Sequence, residues 1–542
     1  MTHAGPDPFA DLAVPTLHAT IRHHALTRPT ALALRFGERR HDYAALDALT
    51  DRVAASLVRD GIQPGDRLLF LGRNSDAIPI LTLGANKAGI VPVPLNWRLA
   101  PAEIAALAAD AGARMVFFEP EFAEAVAALV QSSPAIVSRH ADDLLGESDW
   151  LSASGTGFDR QDDPRSIAIQ VYTSGTTGRP KGVMLSHRSL LGINTLRSTL
   201  SWDRWNADDV TLAATPLGHI AAYGMLARAL FFGGGAIIHP TFTVDGTLDA
   251  IEADGVSKLA LVPTAIKMIL DHPRARSIDY SRIDTIIYGS APITLPLLRE
   301  ALSIFRCRFA QSYGMSETSG TTVALPPEDH DPAGNRRMTG AGKALPATQL
   351  IVTDSEGKTL PAGEVGEIRI RSIANMVGYW NQPEETARTL CPGNWIRTGD
   401  AGFLDEEGYL FVRGRIKEMI ITGAENVYPA EVEQVVAAHP DVAEVAVIGL
   451  PDAHWGEAVT AVIVVRPGAA HDAAAITRWA RSRLAGYKTP KAIHFVTRLP
   501  LNTLGKVDKR ALREAMSSEK CQTAPSSAGL QIPARRLTDN RT

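Results

Sequence analysis

One string, Thr173-Ser174-Gly175-Thr176-Thr177-Gly178-Arg179-Pro180-Lys181-Gly182, is built for chemistry on phosphate. Polyphosphate is held by backbone N–H groups at close approach, which glycine permits, while Ser and Thr hydroxyls and a lysine donate to the remaining oxygens. A nucleotide tail suits this composition. The string is not a Walker A loop, because its glycine spacing is different and Gly182, not Ser or Thr, follows the lysine. Three further runs pass from apolar residues into a turn that ends in a polar or reactive group. These are TLAATPLGH, closing on His219; TIIYGSAP, with Gly289, Ser290 and Ala291; and RFAQSYGMSE, with Tyr313, Gly314, Ser316 and Glu317.

Such groups need strands to position them. From about residue 30 the short apolar runs DRLLFLG, RMVFFEP, SIAIQVY, TLAAT, KLALVP and TIIYG alternate with longer stretches of helical period. This alternation predicts an α/β fold, in which ligands gather at the carboxyl ends of the strands. Beyond about residue 400 the texture changes. FLDEEGYLFVRGR reads as a hairpin, PAEVEQVVAAH as a helix, and VAEVAVIGL and AVTAVIVVRPG as strands. We therefore expect a large N-terminal domain of α/β sheets over residues 1–415, a smaller mobile α+β domain over 416–516, and a polar tail over 517–542 too poor in apolar residues to pack.

Composition narrows the partners. With 542 residues, 45% apolar and 21% charged, the chain has the make-up of a soluble multidomain protein. Its 55 Lys and Arg against 59 Asp and Glu leave a formal charge of −4, too balanced to attract nucleic acid or an acidic membrane non-specifically. Cys307, Cys391 and Cys521 are far apart and odd in number, which argues against a disulfide framework or zinc site and for a reducing, cytoplasmic setting. The most apolar stretch, LARALFFGGGAIIHP, is broken by Arg228 and three glycines, so no membrane span is expected.

YTSGTTGRPKGVMLSH resembles the phosphate-loop signature of the AMP-forming, adenylate-forming enzymes, a group that includes acyl-CoA synthetases, luciferases and carrier-protein adenylation domains. PLGH at 216–219, YGSAP at 288–292, YGMSET at 313–318, RTGD at 397–400, GRIKEMIITGAENVYPAEVE at 414–433 and LNTLGKVDK at 501–509 follow in the order that group shows. The resemblance spans nearly the whole chain. It is strongest to the fatty- or aryl-acid CoA ligases, and it implies three cofactors: ATP, Mg²⁺ and coenzyme A.

The resemblance also implies roles. The loop from Thr173 through Gly178 with Lys181 would cradle the phosphates, and Gly289, Ser290 and Ala291 would line the nucleotide and acyl site. Tyr313 would offer its ring to adenine, with Gly314 beside it, Ser316 a hydroxyl to the α-phosphate, and Glu317 a carboxylate to Mg²⁺. Asp400 and Arg415 match ribose-binding positions, Lys506 the catalytic lysine, and His219 the histidine at the carboxylate site. Lys417 falls at the hinge. After rotation of the small domain, Gly423, Trp455 and Tyr487 would line a pantetheine tunnel. Ala424 departs from a usual Gly-Gly pair, and Glu418 from a common Asp.

The activity implied is acyl-CoA synthesis from a hydrophobic monocarboxylate. His219 to Tyr223 and Gly289 to Ala291, the segments expected to line the acyl pocket, contain no Lys or Arg to pair a second carboxylate. The principal alternative is a stand-alone adenylating enzyme loading a carrier protein; a luciferase-type oxygenase and a nucleotide sensor are weaker readings. A homodimer stays open.

Overall fold

The computed structural model describes residues 12–146, 148–151, 162–173, 180–423, 425–501 and 506–517. The largest sheet has nine strands. Its parallel centre runs from Arg308–Met315 through Thr285–Gly289, Lys258–Leu261, Val210–Ala213 and Gly235–Ile238 to Leu32–Phe36. Parallel neighbours require crossovers, and the helices Ile220–Phe231, Val244–Ala253, Pro263–Leu270 and Leu295–Phe305 supply them. Strands covered on both faces carry unbroken apolar runs rather than alternation, which is why TIIYG and KLALVP were readable at all.

A second parallel sheet has the order Val91–Pro94, Arg67–Leu71, Ala113–Phe118, Val137–His140. The run SIAIQVY is different. It forms the strand Ile167–Thr173, which pairs antiparallel with Lys181–Ser186 and, through it, with Gly378–Tyr379. A short apolar run does not disclose the direction of its neighbour, so this hairpin lay outside what periodicity could resolve.

A fourth, antiparallel sheet joins Thr348–Thr353, Gly366–Ser372, Trp395–Leu404, Leu390–Cys391 and Leu410–Arg415. The FLDEEGYLFVRGR hairpin belongs to this sheet, and the chain then turns through Ile416–Glu418 into the smaller domain. There a five-stranded sheet is covered on both faces. Val432, Val436 and Ile476 pack on one side, and Leu512 and Met516 of the helix Lys509–Ser517 on the other. A large α/β domain thus carries a smaller α+β one, as the sequence reading expected.

The helix that starts after His219 is anchored at its far end by charge. Arg228 is buried and lies 2.9 Å from Asp203, which also takes the Arg197 guanidinium at 2.6 Å. Burial alone would raise the Asp203 carboxyl, but the two arginines outweigh it and hold it below the usual range. Burial, reinforced by Arg197, pushes Arg228 down to about 10. Removing one partner of a buried ion group leaves uncompensated charge, at a cost of about 3–5 kcal/mol. Asp203→Ala should therefore lower the urea midpoint of the large domain strongly. A loss of well under 1 kcal/mol would mean that water reaches the two arginines.

Candidate active site

The site collects at the carboxyl ends of the parallel strands. Val210–Ala213 leads through Pro216 and Gly218 to His219, which caps the helix Ile220–Phe231 by accepting the Ala221 N–H on Nδ1 at 3.3 Å. Burial, with the nearby Lys506 charge second, pushes the His219 imidazole down to about 4. It is therefore neutral near pH 7. Thr285–Gly289 ends where a Cβ on Gly289 would meet the Ser312 carbonyl at 2.2 Å, and Ser290 follows in the left-handed region at φ 64°. That close approach admits glycine only, and it sets Gly289 directly opposite Ser312 of the strand Arg308–Met315.

Within that last strand Tyr313 donates its hydroxyl to Asp400 Oδ2 at 2.7 Å. A Cβ on Gly314 would stand 1.8 Å from the Gly320 carbonyl, so the chain there folds back on itself into the single turn Ser316–Thr318. Asp400 is directly opposite Arg415 in the antiparallel pair and receives its Nε at 2.9 Å. Arg415 Nη1 also donates to the Thr398 carbonyl at 2.9 Å. Burial pushes the Asp400 carboxyl up, and Arg415 and the Tyr313 hydroxyl pull against it. Lys506 comes from the small domain into this group. Burial, then Arg415, lowers its ammonium, while Asp400 opposes the shift. His219, Asp400, Arg415 and Lys506 thus share one electrostatic centre, drawn from two domains.

Thr173 and Lys181 face each other across the hairpin whose connection is the phosphate string. Ser174, Gly175, Thr176, Thr177 and Gly178 lie outside the described residues. Lys181 is buried, donates to Glu385 Oε2 at 2.5 Å, and has its ammonium 4.9 Å from the centre of the Tyr379 ring. Tyr379 in turn donates to Glu317 Oε1 at 2.7 Å. The sequence reading missed Tyr379 and Glu385. The only available signal was that a buried lysine needs a counter-ion, and this gives no address for one 204 positions away.

Among the described residues no group of three or more His, Cys, Asp or Glu could hold a metal ion. The single buried carboxylate of Glu317 fits Mg²⁺ bound chiefly through a nucleotide's phosphates and water, the coordination this hard cation favours.

The acyl segments need a correction. Ala222 and Tyr223 do not line an opening: both are buried in the main core. Helical spacing turns Ala221 and Gly224 to the other side; Ala221 is exposed, and nothing lies within 4 Å of where a Gly224 Cβ would stand. Gly423, Trp455 and Tyr487 make their contacts within the small domain. Gly423, at φ 58°, donates to the Trp455 carbonyl at 2.8 Å, and Tyr487 packs at the edge of that domain's core. Lys417 lies in the turn Ile416–Glu418, next to Arg415. Gly505 and Ala424 fall outside the described residues.

Residues 21–380 match the family described as AMP-binding enzyme, and residues 431–506 the AMP-binding enzyme C-terminal domain. The chain belongs to this family of adenylate-forming enzymes. It is similar to a fatty acid–[acyl-carrier-protein] ligase, ScoC, of Streptomyces coeruleorubidus, at 37% identity over 92% of this chain and 96% of that protein. It is likewise similar to a feruloyl-CoA synthase of an Amycolatopsis species, at 38% identity over 90% and 96%. Among solved structures, ATP-bound MatB from Rhodopseudomonas palustris superposes with a TM-score of 0.84 at 33% identity, covering 93% of this chain and 99% of that one. No helix of the described residues is long and apolar enough to cross a membrane.

The depressed His219 value has a consequence for stability. The unfolded chain takes up a proton near pH 6.5, and the folded chain refuses it until about pH 4. The stability that His219 contributes is therefore lost as pH falls through that window and is fully present above it. His219→Gln should flatten the decline in melting temperature between pH 7 and 5 relative to the unaltered protein. An equally steep decline would assign the effect to other groups.

Proposed function

We propose that this chain is an acyl-CoA synthetase acting on a hydrophobic monocarboxylic acid, aliphatic for preference and aryl as the second class, in the cytoplasm and in fatty-acid metabolism. An acid carboxylate oxygen attacks the α-phosphorus of ATP, the bond to the bridging oxygen breaks, and pyrophosphate leaves. The CoA sulfur then attacks the acyl carbon, AMP departs with the electron pair, and the thiol proton passes to solvent. The observation that carries this reading is the Tyr313–Asp400–Arg415 cluster at the strand ends, with Lys506 of the small domain near enough for its charge to bear on both Asp400 and His219.

In this reading Asp400 accepts the ribose hydroxyls with Arg415 beside it, and the Tyr313 ring flanks adenine. Ser316 donates to the α-phosphate; Thr173, Lys181 and the loop between them hold the β- and γ-phosphates. Mg²⁺, held by Glu317, would neutralise phosphate charge. The Lys506 ammonium meets the charge that builds on the attacking carboxylate and the α-phosphate, while neutral His219 borders the carboxylate without repelling it or trapping it as an ion pair. Preorganised donors of this kind dominate reactions that develop charge in a site shielded from water. The acyl group lies along Ala221, Gly224 and Met225, a small and apolar face of the helix. Gly423, Trp455 and Tyr487 guide the thiol once the small domain turns about Lys417.

Lys506→Ala should reduce pyrophosphate release about 10²- to 10³-fold and leave thiolysis of supplied acyl-adenylate nearly intact. Equal loss in both half-reactions, with the fold preserved by circular dichroism, would count against the two-pose reading. ADP as the stoichiometric product would refute adenylation itself.

Gly224→Trp should shift preference towards short acids, since each methylene kept out of the pocket forfeits about 0.8 kcal/mol. The readout is the ratio of kcat/KM for decanoate and butyrate. An unchanged ratio would put the acyl chain elsewhere.

A further inference from the structure

In a chain where acids outnumber bases, residues 473–507 contain Arg478, Arg481, Arg483, Lys488, Lys491, Arg498 and Lys506 and not one Asp or Glu. The helix Ala473–Arg481 buries Ile476 and Ala480 against the small domain and turns Arg478 and Arg481 outward, with Arg483 exposed just beyond its end. Lys488 is matched by Glu431 at 2.8 Å. Arg478, Arg481 and Arg483 have no acidic partner among the described residues. Arg483 is nonetheless held in place, its guanidinium 3.5 Å from the centre of the Trp479 ring, and Trp479 is pinned by donating Nε1–H to the Val435 carbonyl at 2.9 Å.

This face adjoins the thiol side of the domain. Arg481 is close enough to add to burial in lowering the Lys491 ammonium. Lys491 in turn donates to the Gly486 carbonyl at 2.7 Å and lies 4.9 Å over the Trp455 ring, against which Gly423 is packed. Lys491, beside Trp455 and within reach of the Arg481 charge, extends the basic face towards Trp455.

From this charge distribution we infer that the arginine face is a docking surface for an acidic acyl carrier protein, whose phosphopantetheine arm enters past Lys491 and Trp455. The inference rests on the reading that the adenylate is passed to a thiol. The arm's sulfur attacks the acyl carbon, the bond from that carbon to the AMP oxygen breaks, AMP leaves with the electron pair, and the thiol proton goes to solvent. Free CoA carries the phosphates of a single nucleotide, a more compact anion than three arginines spread over more than a helical turn would match. An anionic membrane is disfavoured because the exposed neighbours Ala474, Ser482 and Ala485 offer no apolar wedge to insert. A protein surface of opposite charge uses all three arginines at once, chiefly through faster encounter that salt suppresses.

The test measures thioester formation by the full-length protein with three acceptors: a purified holo acyl carrier protein, CoA and pantetheine. It compares the native chain with the triple variants R478E/R481E/R483E and R478Q/R481Q/R483Q, at low and high salt. Pyrophosphate release should be unchanged in all of them. The charge reversal should lower kcat/KM for the carrier protein about tenfold or more at low salt, an effect that fades with salt. The neutral variant should fall between, and CoA and pantetheine should stay within about twofold of the native chain. The inference is overturned if the native chain acylates CoA but no carrier protein, if CoA and carrier protein lose equally, or if the variants lose binding to anionic vesicles while carrier kinetics are untouched. Failure to acylate any thiol would instead refute the acyl-transfer reading on which it rests.

Discussion

Asp400 must be buried and charged at once, and the surrounding architecture follows from that requirement. A carboxylate withdrawn from water in a strand interior is costly unless a cation and hydrogen-bond donors reach it. The antiparallel register of Trp395–Leu404 with Leu410–Arg415 supplies the cation by setting Arg415 directly opposite, and Tyr313 supplies a donor from another sheet. Two of the large domain's sheets, the nine-stranded one and the antiparallel one, are thus fastened at the point where sugar hydroxyls would be bound. Arg415 is also the last residue before the turn into the small domain. The Asp400 counter-ion and the turn that carries Lys417, the proposed hinge, are consecutive in the chain, so a rotation of the small domain about it would begin beside the fixed pair.

A similar economy governs the phosphate side. Lys181 would be an isolated buried cation without Glu385, and Glu317 an awkward buried anion without the Tyr379 hydroxyl. Glu385 and Tyr379 come from one segment that crosses beside the hairpin, so a single stretch holds both the Lys181 ammonium and the Glu317 carboxylate in place. Neither charge is free to collapse onto the other, because the Tyr379 ring lies against the Lys181 ammonium. Separation of opposite charges in a low-dielectric setting is the preorganisation that phosphoryl and nucleotidyl transfer demand.

Legibility from sequence tracked the locality of the signal. Strand-to-turn runs such as TIIYGSAP carry their own evidence, since an apolar run ending in glycine and small residues marks both the strand and its ligand-facing end. Gly289 and Gly314 could be singled out because glycine at a strand end has few bland explanations, and the structure supplies the reason as carbonyls at 2.2 and 1.8 Å. What depends on tertiary register was invisible: the antiparallel sense of Ile167–Thr173, the counter-ion of Lys181, and which side of the helix after His219 faces outward. In that helix Ala221, Ala222 and Gly224 are all small, and nothing in their types distinguishes core from opening. Only the burial of Ala222 and Tyr223 decides it.

The small domain has two ends with different chemistry, and its sheet explains why both can be precise. Lys506 is carried between the edge of that domain and the helix Lys509–Ser517, whose Leu512 and Met516 are buried on one face of the sheet. Gly423 follows the strand Ile420–Thr422 and Trp455 precedes the strand Gly456–Val465 of the same sheet, and a backbone hydrogen bond joins them. A side chain swung on a flexible loop would lose rotational freedom each time it met the reacting centre. Lys506 directly precedes Val507, which pairs with Leu501, and the helix Lys509–Ser517 follows, so much of that cost is met during folding. In the proposed two-step reaction, adenylation would use Lys506 as one further cation beside the large domain's counter-charges, and acyl transfer would need that cation to withdraw so that a thiol can approach. In the proposed mechanism, a small domain turning as a unit would achieve both with a change confined to the few backbone angles around Lys417, whereas independent movement of Lys506 and of a thiol passage would need each to be stabilised separately in two positions.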